Sequence, residues 1–175
     1  SLVLSGGNDR LNNTGSIAAN GGVLDLGAAT QNTSGLVSID GGTVQNGRLH
    51  STVLSFDGRS GLVSAVLGGS AGLTKSSAGV LKLSAENTYA GLTTIADGSL
   101  MLVGGNNRLN AAGSISSQGG IFDLGAGTQS TTGMVSIAGG TIQNGVLQSE
   151  VAAFDGRSGR VSAVLSGSVG LTQSG

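Results

Sequence analysis

The chain has 175 residues, 34 of them glycine, with no proline, cysteine or tryptophan and a net charge of −1. The lack of cysteine excludes disulfides and thiolate metal centres, near-neutral charge without a basic stripe speaks against a nucleic-acid partner, and no apolar run reaches the roughly 18 residues of a membrane helix. Val, Ile and Leu recur at low net charge, unlike in disordered glycine-rich chains, and Tyr89, Phe56, Phe122 and Phe154 are the only aromatics, so small aliphatic side chains must fill a narrow, many times repeated core.

The chain opens with Ser1-Leu2-Val3-Leu4 and then runs through GGNDRLNNTGSIAANGGVLDLG, GLVSIDGGTVQNG and FDGRSGLVSAVL. Next comes a stretch present whole only once, Gly72 to Leu102, built from GLTK, GVLKLS, NTYAG and TTIADGSLML. The earlier blocks then return as GGNNRLNAAGSISSQGGIFDLG, GMVSIAGGTIQNG and FDGRSGRVSAVL. One gapless offset of 98 residues carries Gly6 onto Gly104 and Ser76 onto Ser174, with roughly two thirds of paired positions identical. Residues 1–98 therefore read as a first repeat unit and 99–175 as a second, incomplete one. Because Ser1 to Leu4 match Ser99 to Leu102, and Gly170 to Gln173 begin another copy of GLTK, both ends are expected to fall inside motifs of a longer array. Such cuts would leave Leu2, Leu4 and Leu171 uncovered, with end-to-end association or frayed terminal coils as the expected result.

Each block has one grammar: a few strand-like residues, then Asn-Gly, Asp-Gly or Gly-Gly. Asn20-Gly21, Asp40-Gly41, Asn46-Gly47, Asp57-Gly58 and Asp97-Gly98 set residues that tolerate positive φ at regular intervals. About eleven or twelve strands fit each unit, and no window holds a helical period, so the chain reads as all-β. The turn signals alone also suit an antiparallel sandwich or meander. The long gapless repeat favours a solenoid, in which each unit meets an equivalent surface of the next. Its inward ladder is expected to hold Leu2, Leu4, Ile17, Leu24, Leu26, Val37, Ile39, Val63, Leu67, Leu81, Leu83, Leu100 and Leu102, with Phe56 and Phe154 in the same interior.

The order GLTK–GVLKLS–NTYAG–TTIADGSLML resembles the passenger-associated repeat of bacterial autotransporters, with Val80 where that family usually has Thr and Leu92 where it usually has Gly. The resemblance implies a right-handed parallel β-helix. At about three strands per coil, it implies about four coils per unit of near 24 residues, about seven coils in all, in a rod roughly 35 Å long. It also implies an extracellular segment on a Gram-negative cell surface, tied to the membrane only through a translocator barrel outside this chain. The leading reading is a non-enzymatic stalk or adhesive scaffold in adhesion or biofilm formation. The alternatives are a β-helical carbohydrate-active enzyme and a ligand-binding repeat that recognises host matrix, a cell-surface ligand or itself.

Candidate chemistry is sparse. His50 is the only histidine and its counterpart is Gln148, so no triad or imidazole metal site is expected. Asp25 and Asp123, in LDLG and FDLG, could each supply one carboxylate of an acid/base pair, but they read better as outward strand residues. FDGRSG, at Phe56 to Gly61 and Phe154 to Gly159, is either an exposed tip that contacts a ligand through Asp57, Arg59, Asp155 and Arg157, or a tight corner with Asp accepting turn hydrogen bonds and Gly taking the strained angle. Asn46-Gly47-Arg48 is not repeated in the second copy, where Val146 replaces the arginine. No calcium-binding nonapeptide and no phosphate-cradling loop occurs. No cofactor or metal is expected.

Overall fold

The computed structural model describes residues 1–175. Twenty-two short strands and no helix make a parallel β-solenoid of about nine turns. Every pairing between named strands is parallel, because each strand lies beside its equivalents in the coils before and after it. The first face runs from Ile17–Asn20 through Val37–Asp40, Phe56–Gly58, Leu73–Lys75, Thr93–Ile95 and Ile115–Ser117. The second runs from Leu2–Val3 through Val23–Asp25 and Thr43–Gln45 to Ser99–Leu102 and Ile121–Asp123. Two long strands, Val135–Gln143 and Phe154–Val161, turn the corner without a break and join these two faces into one 16-stranded sheet.

The third face is different. It is split into two three-stranded sheets, Thr30–Thr33 with Arg48–Ser51 and Val66–Gly68, and Thr128–Thr131 with Val146–Ser149 and Val164–Ser166. Between them, residues 86–89 and 106–109 cross the face without forming a strand, as do residues 8–11 in the first coil.

The register corrects the expected coil count. On the first face Ile17 pairs with Val37, and the series reaches Ile115, 98 residues on, after five coils. Hydrogen-bonded neighbours in adjacent coils are accordingly about 20 residues apart. Dividing strands by three undercounts coils, because some coils lack a third strand. Nine coils at about 4.8 Å give a rod of roughly 43 Å in place of 35 Å.

Side-chain alternation does what period-2 patterning requires. Leu24, Leu26, Val37, Ile39, Val63, Leu67, Leu81, Leu83, Leu100 and Leu102 are buried in one continuous core, and Phe56 and Phe154 lie with them. Leu4 is buried too, whereas Leu2 is 55% exposed at the open mouth of the first coil and Leu171 is 60% exposed in the last. The Phe56 and Tyr89 rings meet tilted, with centroids 6.1 Å apart, a geometry aromatic pairs favour.

Candidate functional surface

In Phe56–Gly58 the pleat sends Phe56 and Gly58 inward and Asp57 outward. The Asp57 carboxylate accepts from the Ser76 hydroxyl one coil on and from Arg59 Nε at 2.9 Å. Arg59 Nη1 also lies 3.8 Å from Asp40. The second copy repeats the arrangement: Asp155 accepts from Ser174 and, at 3.0 Å, from Arg157 Nε. The Ser174 hydroxyl, helped by the Arg157 guanidinium, holds the Asp155 carboxyl below the usual carboxylate range against the opposing effect of desolvation. Arg59 and Arg157 remain about half exposed, at 49% and 59%. They occupy equivalent places five coils apart, so about 24 Å separates them, not the 19 Å that four coils would give.

The corner chemistry expected of FDGRSG is only partly realised. The glycines with positive φ are Gly61, at 115°, and Gly159, at 106°, whereas Gly58 has an ordinary strand conformation. Its role is spatial: a Cβ there would stand 2.4 Å from Leu81 Cδ2. The other four turn glycines, Gly21, Gly41, Gly47 and Gly98, do take positive φ.

Asp25 points outward and accepts from Gly27 N, Gln45 Nε2 and Asn46 Nδ2, each at 2.8 Å. Asp123 accepts from Gly125 N, Gln143 Nε2 and Asn144 Nδ2, again each at 2.8 Å. The carboxylate of each DLG thus clasps the QNG corner of the next coil. The Asn46 amide, with Gln45 and Gly27 N–H, lowers the Asp25 pKa. At Asp123 burial opposes the charge, yet the Asn144 and Gln143 amides and the Gly125 N–H outweigh it and the pKa is still lowered. The two carboxylates lie five coils apart, far beyond the several Å of a glycosidase pair. No three His, Cys, Asp or Glu side chains gather where an ion could sit.

The sequence reading missed the polar groups inside the rod. Where residues 8–11 cross the third face without a strand, Gln31 Oε1 accepts from Leu11 N at 2.8 Å and Gln31 Nε2 donates to Leu11 O at 3.2 Å. Gln129 does the same for Leu109, at 2.8 and 3.0 Å. Asn87 accepts from Leu67 N and donates to Arg108 O, both at 2.8 Å. Each buried amide replaces main-chain bonds that a strand would have made. Tyr89 is buried with its hydroxyl 2.8 Å from Thr93 Oγ1, and burial raises its pKa. Lys75 is fully buried, its amine donating to Ser77 O and to Asp97 O at 3.2 Å; burial lowers its pKa, partly offset by Asp97. The inward parity of Gln31 between two threonines, repeated at Gln129, was the one signal available beforehand.

Asn87, Tyr89 and Lys75 all fall within residues 73–102, and these residues match the family described as Passenger-associated-transport-repeat. The chain carries a passenger repeat. With two first-face strands, two second-face strands and the strandless crossing between them, the passenger repeat spans the place where the third face is interrupted. A passenger repeat set in a parallel solenoid fits a segment of an autotransporter passenger. No curated protein and no solved structure matches the chain.

Proposed function

We propose that this segment is a non-enzymatic spacer in a passenger displayed on the bacterial surface, stiff enough to hold adhesive regions away from the cell. The observation that carries this reading is the passenger repeat embedded in an unbroken stack of coils. The Asp25 and Asp123 clasps support it, because their carboxylates are occupied in joining one coil to the next and lie too far apart to act as a pair. Export to the cell surface, and adhesion or biofilm formation as the biological output, follow from the passenger repeat as parts of the same proposal. In it the Asp57–Arg59 and Asp155–Arg157 pairs stitch neighbouring surface positions and bind no partner.

The test displays the parent passenger on cells. Arg59→Ala combined with Arg157→Ala is expected to leave adhesion and melting temperature unchanged, since exposed side chains outside a binding patch alter stability by less than about 0.5 kcal/mol. Loss of adhesion at unchanged stability would instead make the two arginines a bivalent binding row. Removing one 98-residue unit in register should shorten the reach by about 24 Å and leave the remaining rod folded. Antibody against residues 1–175 should label intact cells, and labelling only after lysis would overturn the surface placement.

A further inference from the structure

The two units differ most tellingly on the third face. In the first unit a hollow of about 310 Å³ opens between the Thr30–Thr33 and Arg48–Ser51 strands and the corner before them. Asn13, Asn32, Ser34, His50 and Thr52 line it, and no apolar or charged side chain does. The hydrogen bonds around it leave several groups free. Asn32 Nδ2 is held by Asp9 and the Asn13 main-chain oxygen by Ser34. The Asn13 carboxamide, both His50 ring nitrogens, the Thr52 hydroxyl and Asn32 Oδ1 have no partner in the chain. Leu36, Val53 and Leu54, close in sequence to this lining, are exposed by 43%, 64% and 45%.

The second unit has dismantled the same place. Ala111 stands for Asn13, Ser130 for Asn32, Gln148 for His50 and Glu150 for Thr52. Gln148 Nε2 donates to Glu150 at 2.8 Å, and Glu150 also accepts from Ser168 N at 3.0 Å, so the side chains there satisfy one another. The clasp residues Asp25, Gln45 and Asn46, by contrast, are the same in both copies. Polar groups left free in one copy and paired or deleted in the other are not needed by the coil itself.

We propose that the His50 hollow is a binding site for a neutral oligosaccharide. A sugar ring offers adjacent hydroxyls that both donate and accept, matching the mixed amide, imidazole and hydroxyl lining. Anionic sugars are disfavoured by the Asp9 carboxylate held against Asn32. No aromatic platform is present, so a single contact is weak, and repeated display along a surface would supply avidity. The inference stands apart from the spacer reading, since a rod can hold a sugar without being an enzyme.

The test titrates the full 175-residue chain with neutral oligosaccharides built from glucose, galactose, mannose and N-acetylhexosamines, and with sulfated and sialylated ones in parallel. Amide and imidazole chemical shifts report contact. At least one neutral class should shift His50 and Asn32, and Asn13→Ala with His50→Ala should weaken it about tenfold or more, the equivalent of two lost hydrogen bonds. Both positions are on the surface, so the double variant should melt with the parent chain. Arg59→Ala with Arg157→Ala should bind as the parent does. No shift with any neutral sugar, tighter binding of the anionic ones, or binding indifferent to the double substitution would overturn the proposal, and none of these outcomes bears on whether the rod is a spacer.

Discussion

The first and third faces of the rod hold neighbouring coils together by different means. On the first face every coil offers a strand, and main-chain ladders run from Ile17 to Leu171. On the third face, three coils offer none, and side-chain amides of Gln31, Asn87 and Gln129 supply the bonds. In the strandless coils the loops contribute as well: Asn8 Oδ1 accepts from Thr30 N and Asn106 Oδ1 from Thr128 N, both at 2.9 Å. The lesson is that a solenoid can be continuous in hydrogen bonding while discontinuous in strands. Its outward side chains are then replaceable on the first face, and its inward amides are not replaceable on the third.

That contrast is open to direct attack. Asn87→Ala should have the largest effect, about 2–3 kcal/mol by denaturant titration, because it strands Leu67 N in a buried setting, while Arg108 O keeps only the Asn87 main-chain N–H. A cost as small as that of an outward first-face change such as Thr94→Ala, expected within about 0.5 kcal/mol, would abolish the distinction. Gly58→Ala should follow, at about 1–3 kcal/mol, since the new methyl meets Leu81, itself fully buried; a neutral result would mean that the first-face interior can give way.

The pH dependence sharpens the picture further. Asp25 and Asp123 have lowered pKa values in the folded rod, so their clasps contribute stability that is present above the unfolded carboxylate value of about 4 and is lost as pH falls through the folded values. Melting temperature should drop on acidification below about pH 4, and Asp123→Asn should flatten that limb. Lys75 titrates in the other sense. Its pKa is lowered by burial, so the unfolded chain binds the proton more readily and stability should rise with pH up to the unfolded value of about 10.4. Lys75→Gln should remove this alkaline rise with the smallest cost, within about 1 kcal/mol, because Gln173 at the equivalent position still donates to a main-chain oxygen, that of Arg157.

The sequence by itself determined the all-β class, the solenoid, the 98-residue repeat and the inward aliphatic ladder. Alternation and repeat are properties of the chain: Leu81 and Leu83 flank Lys82 whatever they pack against, and a gapless offset forces equal surfaces to meet. Tertiary structure decided the number of coils and the place of the polar residues. Whether a coil uses two strands or three depends on how its third crossing lies against the coils on either side, which no local pattern states. For the same reason nothing local marks Lys75 and Asn87 as interior residues, although both are buried. Asp57-Gly58 read as a corner because Asp-Gly favours turns in isolation, whereas Gly58 is there to make room for Leu81. The His50 hollow was beyond the sequence altogether: Asn13, Asn32 and His50 are close to 20 residues apart along the chain and become neighbours only when successive coils stack, about 4.8 Å from one to the next.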